Sequence, residues 1–246
     1  DVDTSAETAD LRGGRRVGIF LHEVIEKVDS NSFRETPELA AWRRRDDIRL
    51  LFTDTMRRHQ VIDPRWLERG TEIVFNALCS RIAISGRSLG PLYRCPNVRE
   101  MEFLYPIPEH AHPLLQSGSD GAWTAERGYL KGFVDFVFEQ DGLYYFADWK
   151  SDLLESYAPD AVAAHVADKY EIQATIYSVG IVRLLRIRNP RDYDQRFGGL
   201  LYLFIRGMRA GGSGEDGVYF HRPGWDEIAA YERSLMDVAP AAPSHR

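Results

Sequence analysis

Two acidic residues and a lysine are spaced so that they could bind a metal ion. Asp135 ends the run Gly132-Phe133-Val134-Asp135, and Asp148-Trp149-Lys150 follows after twelve residues. Side chains two apart on a strand share a face, and a hairpin would bring Asp135 beside Asp148 and Lys150. Carboxylates suit Mg²⁺, which leaves room for water and a phosphate group. The pattern predicts metal-assisted attack of water at phosphorus, with Lys150 stabilising the transition-state charge.

The element that must position these residues is a β-hairpin. Residues 128–139 and 143–150 are rich in β-prone side chains, and the segment Gln140-Asp141-Gly142 lies between them. An Asp-Gly pair between two such runs is a strong signal for a tight turn. A simpler alternative stays open, because an exposed hairpin could carry the same residues in an ordinary salt bridge.

A helix after the hairpin carries a polar stripe. Tyr170, Gln173 and Tyr177 are three and four residues apart and would lie on one side of a helix predicted over residues 159–187. The stripe could simply pack on the sheet. It could also contact substrate, since Gln offers donors and acceptors and Tyr offers a stacking face to a nucleic acid base.

The remaining pattern predicts helices on both sides of several strands. The first helix begins near Arg16, with an apolar stripe that includes Phe20, Leu21 and Val24, and with His22 on its more polar side. Further helices are predicted at 37–59, 64–84 and 223–236, strands at 99–106, 199–206 and 217–221, and a loop at 85–96.

Composition indicates one intracellular domain. The 246 residues are 44% hydrophobic and 12% aromatic, which is enough for a single core. No apolar run approaches the roughly 18 residues of a membrane span, and the start lacks a secretory signal. Residues 1–14 are polar and aperiodic, like a linker or leader. We therefore predict a domain at 15–237, a tail at 238–246 and a cytoplasmic location.

Charge and cysteine content narrow the function. The net charge of −6 is a mild point against a nucleic-acid partner, although arginines cluster at 43–45 and 57–58. Carboxylates of a metal site would themselves contribute negative charge. Cys79 and Cys95 are too few for a four-cysteine iron–sulfur or zinc site or for a disulfide framework.

Several motifs in order resemble the PD-(D/E)xK nuclease superfamily, and within it the C-terminal nuclease domains of RecB-type subunits of the RecBCD helicase–nucleases. They are residues 18–29, Glu102, 132–135, 148–150, 170–177, 201–207 and 217–220, which together span most of 15–237. The resemblance implies an α/β fold with a restriction-endonuclease-like core, in which helices flank a mixed central β-sheet.

The resemblance also assigns roles to residues. It implies that His22, Asp135, Asp148 and the backbone carbonyl of Trp149 bind Mg²⁺, with Mn²⁺ as a substitute, and that Lys150 is catalytic with the two aspartates. It places Gln173 and Tyr177 near the substrate beside Tyr170, and Glu102 as an accessory acid. No iron–sulfur cluster is implied, because relatives that carry one have four cysteines for it.

The implied activity is a magnesium-dependent exodeoxyribonuclease acting at double-strand DNA ends in recombinational repair, near the nucleoid. RecC and RecD would be partner subunits and RecA a further contact. No Gly-x-x-x-x-Gly-Lys-Ser/Thr phosphate loop occurs, so ATP use would belong to a helicase region outside this chain. Two alternatives stay open: a free-standing exonuclease, and an inactive DNA-binding or docking module, which would be expected to lack a catalytic group.

Overall fold

The structure is a computed structural model that describes residues 14–106, 123–126 and 129–236. The leader and tail predicted at the two ends lie outside these ranges, apart from Gly14. The helices are α1 (Arg15–Lys27), α2 (Ser30–Glu35), α3 (Leu39–Trp42), α4 (Asp46–Arg58), α5 (Arg65–Cys79), α6 (Pro159–Lys169), α7 (Glu171–Leu184), α8 (Pro190–Arg196) and α9 (Trp225–Met236). The strands are β1 (Ile82–Ile84), β2 (Arg87–Leu89), β3 (Asn97–Pro106), β4 (Trp123–Glu126), β5 (Tyr129–Gln140), β6 (Leu143–Lys150), β7 (Phe197–Phe204) and β8 (Val218–His221).

A mixed sheet forms the centre of the described fold. Its order is β3-β5-β6-β7-β8, and β4 pairs with β5 as well. Only the β6–β7 pairing is parallel among these strands, and the connection between the two contains α6, α7 and α8. A parallel pair needs such a long crossover. The predicted α/β class with a mixed central sheet is confirmed.

Helices cover both faces of this sheet. Along β6, Tyr145, Ala147 and Trp149 pack into one buried cluster with residues of α1, α4 and α5, while Phe146 packs into a second cluster with residues of α6 and α7. Side chains alternate between the faces of a strand, so Asp148 shares the face of Phe146 rather than that of Trp149. None of the described helices is long and apolar enough to cross a membrane.

The predicted hairpin is confirmed. Gln140 pairs with Leu143 across a turn whose residues Asp141 and Gly142 have φ angles of 56° and 80°. Both angles lie in the left-handed region that the tightest hairpin turns require and that an Asp-Gly pair tolerates. A second hairpin, β1–β2, occupies part of the predicted loop at 85–96. Its turn is Ser85-Gly86, at the start of the segment for which the sequence analysis predicts a loop.

The prediction of one continuous helix over residues 37–59 is wrong, because this segment forms two helices, α3 and α4. Trp42 at the end of α3 is fully buried and stacks on Phe33 with 4.9 Å between ring centroids. Arg45 is extended, and its Nε donates to Asp47 Oδ1 at 3.0 Å in the first turn of α4. Burial of Trp42 and this local ion pair therefore start a new helix.

Two other helices were predicted as longer continuous elements than the structure contains. The helix predicted at 64–84 ends at Cys79, because Ser80 is extended and β1 then pairs with β2. The helix predicted at 159–187 is divided at Tyr170, whose φ and ψ of −124° and 2° separate α6 from α7. The predicted strands at 99–106, 199–206 and 217–221 and the last helix are confirmed with shifted ends, and β4 was not predicted.

Candidate active site

The hairpin register brings two carboxylates and an ammonium together. Regular pairing of β5 with β6 ends at Phe136 and Ala147, so the next residues across the ladder are Asp135 and Asp148. The Trp149 amide donates to Asp135 Oδ2 at 2.8 Å, and Lys150 Nζ lies 2.5 Å from Asp148 Oδ2. Asp148 is only 5% exposed. These contacts join both aspartates and Lys150 in one cluster.

α1 brings His22 to the same cluster. His22 Nδ1 lies 3.5 Å from Asp135 Oδ2. The close approach depends on Gly18, one turn earlier, because a Cβ there would lie 2.8 Å from Ser151 Oγ just after β6. Burial lowers the pKa of His22, against the opposing influence of Asp148 and of a hydrogen bond with the Trp149 backbone. A neutral imidazole is the form that binds metals.

The charges in this cluster do not balance. Burial, and then the charge of Asp148, raises the pKa of Asp135 well above its usual range. Asp135 and Asp148 share the one ammonium of Lys150, and a buried carboxylate whose charge is not balanced costs free energy of folding. Among the residues that the structure describes, no three His, Cys, Asp or Glu side chains converge as a ready metal cage. An imidazole, two carboxylates and the Trp149 carbonyl nevertheless fit a hard dication that keeps some waters.

An open pocket of about 1040 Å³ surrounds the cluster. His22, Asp135, Asp148 and Lys150 all line it. The pocket is at the upper end of the usual size for small-molecule sites and is open to solvent, so a chain-like substrate could pass through it. Its other lining residues include Glu100, Phe133, Asp152, Lys169, Tyr170, Gln173 and Tyr177.

The predicted stripe, Tyr170 at the start of α7 with Gln173 and Tyr177 on it, lines this pocket. Several of its polar groups bind other protein groups, while Gln173 Nε2 is buried without a hydrogen-bond partner among the described residues. Gln173 Oε1 accepts from Lys150 Nζ at 3.1 Å, and Lys150 Nζ lies 4.1 Å from the centroid of the Tyr170 ring. Tyr177 Oη donates to the Phe133 carbonyl at 3.0 Å. All three stripe side chains are at most 5% exposed. The stripe therefore holds Lys150 and β5 in place.

Glu102, the predicted accessory acid, lies outside the pocket. Its carboxylate forms an exposed ion pair with Lys131 Nζ at 3.0 Å. Glu100 lines the pocket instead, because the β3–β5 register places it opposite Asp135, between the Arg99–Phe136 and Met101–Val134 pairs, where its φ of 52° interrupts the regular pairing. Burial, and then the charges of Glu26 and Asp148, raises the pKa of Glu100. Sequence analysis missed Glu100, since the register that places it opposite Asp135 joins two strands far apart in the chain.

A second missed residue is Asp152, two positions after Lys150. Its carboxylate accepts from Lys169 Nζ at 2.7 Å and from Tyr170 Oη at 3.0 Å, and His165 Nε2 lies 3.2 Å away. Asp152 therefore fixes the phenol of Tyr170, whose ring contacts Lys150. Only the fold brings Asp152 to α6, so the sequence offered no signal for it.

Comparison with known proteins agrees with this geometry. A sequence model described as the PD-(D/E)XK nuclease superfamily matches residues 3–243. The RecBCD enzyme subunit RecB of Escherichia coli K12 is 32% identical over 251 residues, which cover 91% of this chain and 19% of that protein. The Haemophilus influenzae subunit of the same name is 29% identical, over 90% of this chain and 18% of its own length.

The Borreliella burgdorferi RecB subunit is 24% identical over 89% of this chain. The chain thus spans about a fifth of the length of the curated relatives it matches. The superfamily match covers nearly all of the chain, and the mixed central sheet is flanked by helices. The chain therefore belongs to the PD-(D/E)XK nuclease superfamily.

Proposed function

We propose that this chain is a magnesium-dependent exodeoxyribonuclease domain of a RecBCD-type helicase–nuclease that acts at double-strand DNA ends in recombinational repair. The observation that carries the proposal is the convergence of Asp135, Asp148 and Lys150 with His22 in one open pocket. Superfamily membership supports nuclease chemistry, and the RecB relatives support the assembly.

In this proposal His22, Asp135, Asp148 and the Trp149 carbonyl hold the ion, which is Mg²⁺ with Mn²⁺ as a substitute. A bound dication would stabilise charge on the phosphoryl oxygens and make water a better nucleophile. Lys150, held between Gln173 and the Tyr170 ring, places its ammonium where negative charge develops during in-line attack by water.

The pocket walls complete the site. Glu100 takes the accessory role that the sequence suggested for Glu102, because Glu100 lines the pocket and Glu102 does not. The stripe of Tyr170, Gln173 and Tyr177 contributes to substrate binding indirectly, by positioning Lys150 and β5. The substrate is single-stranded DNA or an unwound duplex end, for which the open pocket of about 1040 Å³ leaves room.

The wider assembly belongs to the same proposal. RecC and RecD are the partner subunits, RecA is a further contact, and ATP is used by a helicase region outside this chain, in the cytoplasm near the nucleoid. We propose no iron–sulfur cluster. The chain has two cysteines, Cys79 and Cys95, whereas such a cluster is held by four.

The test is degradation of labelled single-stranded DNA by the purified chain with Mg²⁺, with EDTA, and with the Asp148→Ala variant. We expect cutting that needs the metal and falls at least about a thousandfold without Asp148, because a metal supplies several kcal/mol to the transition state. Glu100→Gln should lower the rate, while Glu102→Gln should leave it nearly unchanged.

Two results would contradict the proposal. Cutting that persists in EDTA or in the Asp148→Ala variant would place the chemistry elsewhere. No cutting by a well-folded wild-type chain, together with no Mg²⁺ binding in calorimetry, would indicate an inactive docking module.

A further inference from the structure

Three residues of β5 form a row that leads away from the aspartates. Lys131, Phe133 and Asp135 are two residues apart, so their side chains share one face of the strand. Each step along the row is roughly 6.5 Å, twice the rise of a strand residue. Phe133 and Asp135 both line the pocket. The row therefore places an aromatic ring and then a cation beside the carboxylate cluster.

Phe133 presents its ring to solvent at the pocket wall. The residue is 42% exposed, and Lys131 Nζ lies 5.2 Å from the ring centroid. Its backbone is fixed, because its carbonyl accepts from Tyr177 Oη. A lone exposed phenylalanine is ordinary. This one is unusual because a rigid strand holds it between a cation and the acidic cluster.

Lys131 is held by a contact that a phosphate could replace. Its ion pair with Glu102 joins side chains that are 44% and 45% exposed. Exposed pairs of this kind contribute little to stability, because water screens both charges. A DNA phosphate can replace the Glu102 carboxylate beside Lys131 at little cost in free energy. Glu102 then lies next to the path of the substrate but outside the metal site.

We propose that Lys131 and Phe133 bind one nucleotide of an unpaired DNA strand next to the phosphate that is cut at Asp135. The Phe133 ring stacks on the base, and the Lys131 ammonium neutralises the adjoining phosphate. An unpaired strand is required, because bases in a duplex cover each other's faces and cannot stack on a side chain. The inference rests on the proposed nuclease function, whose site it extends.

The experiment measures affinity for a fluorescent single-stranded oligonucleotide in EDTA, where cutting is suppressed, and for the same strand with its bases removed. Phe133→Ala should weaken binding of the normal strand about tenfold, since stacking on an aromatic contributes about 1–3 kcal/mol per base. Phe133→Trp should restore binding. On the strand without bases, Phe133→Ala should bind like the wild type.

Lys131→Ala should weaken both strands alike and reduce the salt dependence of binding by about one ion. Tyr144→Ala is the matched aromatic control, because Tyr144 is 37% exposed on β6 and does not line the pocket. Arg87→Ala is the matched charge control on β2, with an exposed side chain outside the same pocket.

The inference is overturned if Phe133→Ala behaves like Tyr144→Ala, or if it weakens both strands equally. Circular dichroism of each variant, and recovery by Phe133→Trp, separate lost stacking from lost folding. Cutting by the wild type with Mg²⁺ is measured in parallel. Failure of that cutting counts against the proposed function, whereas loss of the Phe133 effect in a cutting enzyme counts against this inference alone.

Discussion

Two charged clusters line the same pocket, and they are built differently. In one, Asp135 and Asp148 share the single ammonium of Lys150. In the other, Asp152 alone receives Lys169, Tyr170 and His165. Burial raises the pKa of Asp135, whereas at Asp152 the bonds from these donors outweigh burial and lower the pKa. Surplus carboxylate charge thus marks the cluster that needs a cation, and satisfied charge marks the supporting one.

The largest contrast is expected between the two lysines. Lys150→Gln should lower the cutting rate about 10²–10⁴-fold, since it removes charge stabilisation at the reacting phosphate. Lys169→Gln should change the rate by about fivefold at most, because Lys169 is 41% exposed and its contacts are with the supporting residues Asp152 and Tyr170. Single-turnover rates at saturating Mg²⁺ measure both. Equal losses would end the distinction between the clusters.

Tyr170 connects the clusters, since its phenol binds Asp152 and its ring lies on Lys150. Tyr170→Leu removes the ring and should lower kcat about tenfold, in line with a buried cation–π contact. Tyr170→Phe keeps the ring and should lower kcat about threefold or less. KM should change little in either variant. If both variants lose the same activity, the phenol rather than the ring matters.

The smallest contrast concerns stability in the absence of metal. Asp135→Asn should raise Tm at pH 8, because the raised pKa of Asp135 means that its charge destabilises the fold once pH exceeds the unfolded value of about 3.9. Asp152→Asn should lower Tm at pH 8, because its lowered pKa means that its charge stabilises the fold above that value. Each change should be about 2–4 °C per kcal/mol.

The Asp135 difference should vanish once pH falls below the unfolded value of about 3.9, whereas the Asp152 difference should decline below that value and vanish only as pH falls through the lowered pKa of folded Asp152. Thermal unfolding followed by circular dichroism across this range, in EDTA, checks the signs. A lower Tm for Asp135→Asn at pH 8 would show that the site charges are already balanced without a cation.

The features that could be predicted from the sequence depend on local signals. The Asp-Gly turn and the alternation along β5 and β6 depend on neighbouring residues, so the hairpin and the meeting of Asp135, Asp148 and Lys150 could be predicted. His22 came from resemblance, because its helix carries no signal for where its polar side points. The break between α6 and α7 at Tyr170 was missed; the Tyr170 phenol binds Asp152 in the segment after β6, a contact between distant parts of the chain.

By itself, the sequence determined the succession of helices and strands, the hairpin and the motif that carries the chemistry, because turn types and strand alternation are set by residues close together in the chain. The tertiary structure decided which acid reaches the pocket and how Lys150 is held. The β3–β5 register placed Glu100 rather than Glu102 opposite Asp135, and packing of α7 and its N-terminal junction placed Gln173 and Tyr170 on Lys150. These placements depend on contacts between segments that are far apart in the chain, and no local sequence pattern predicts the energies of such contacts.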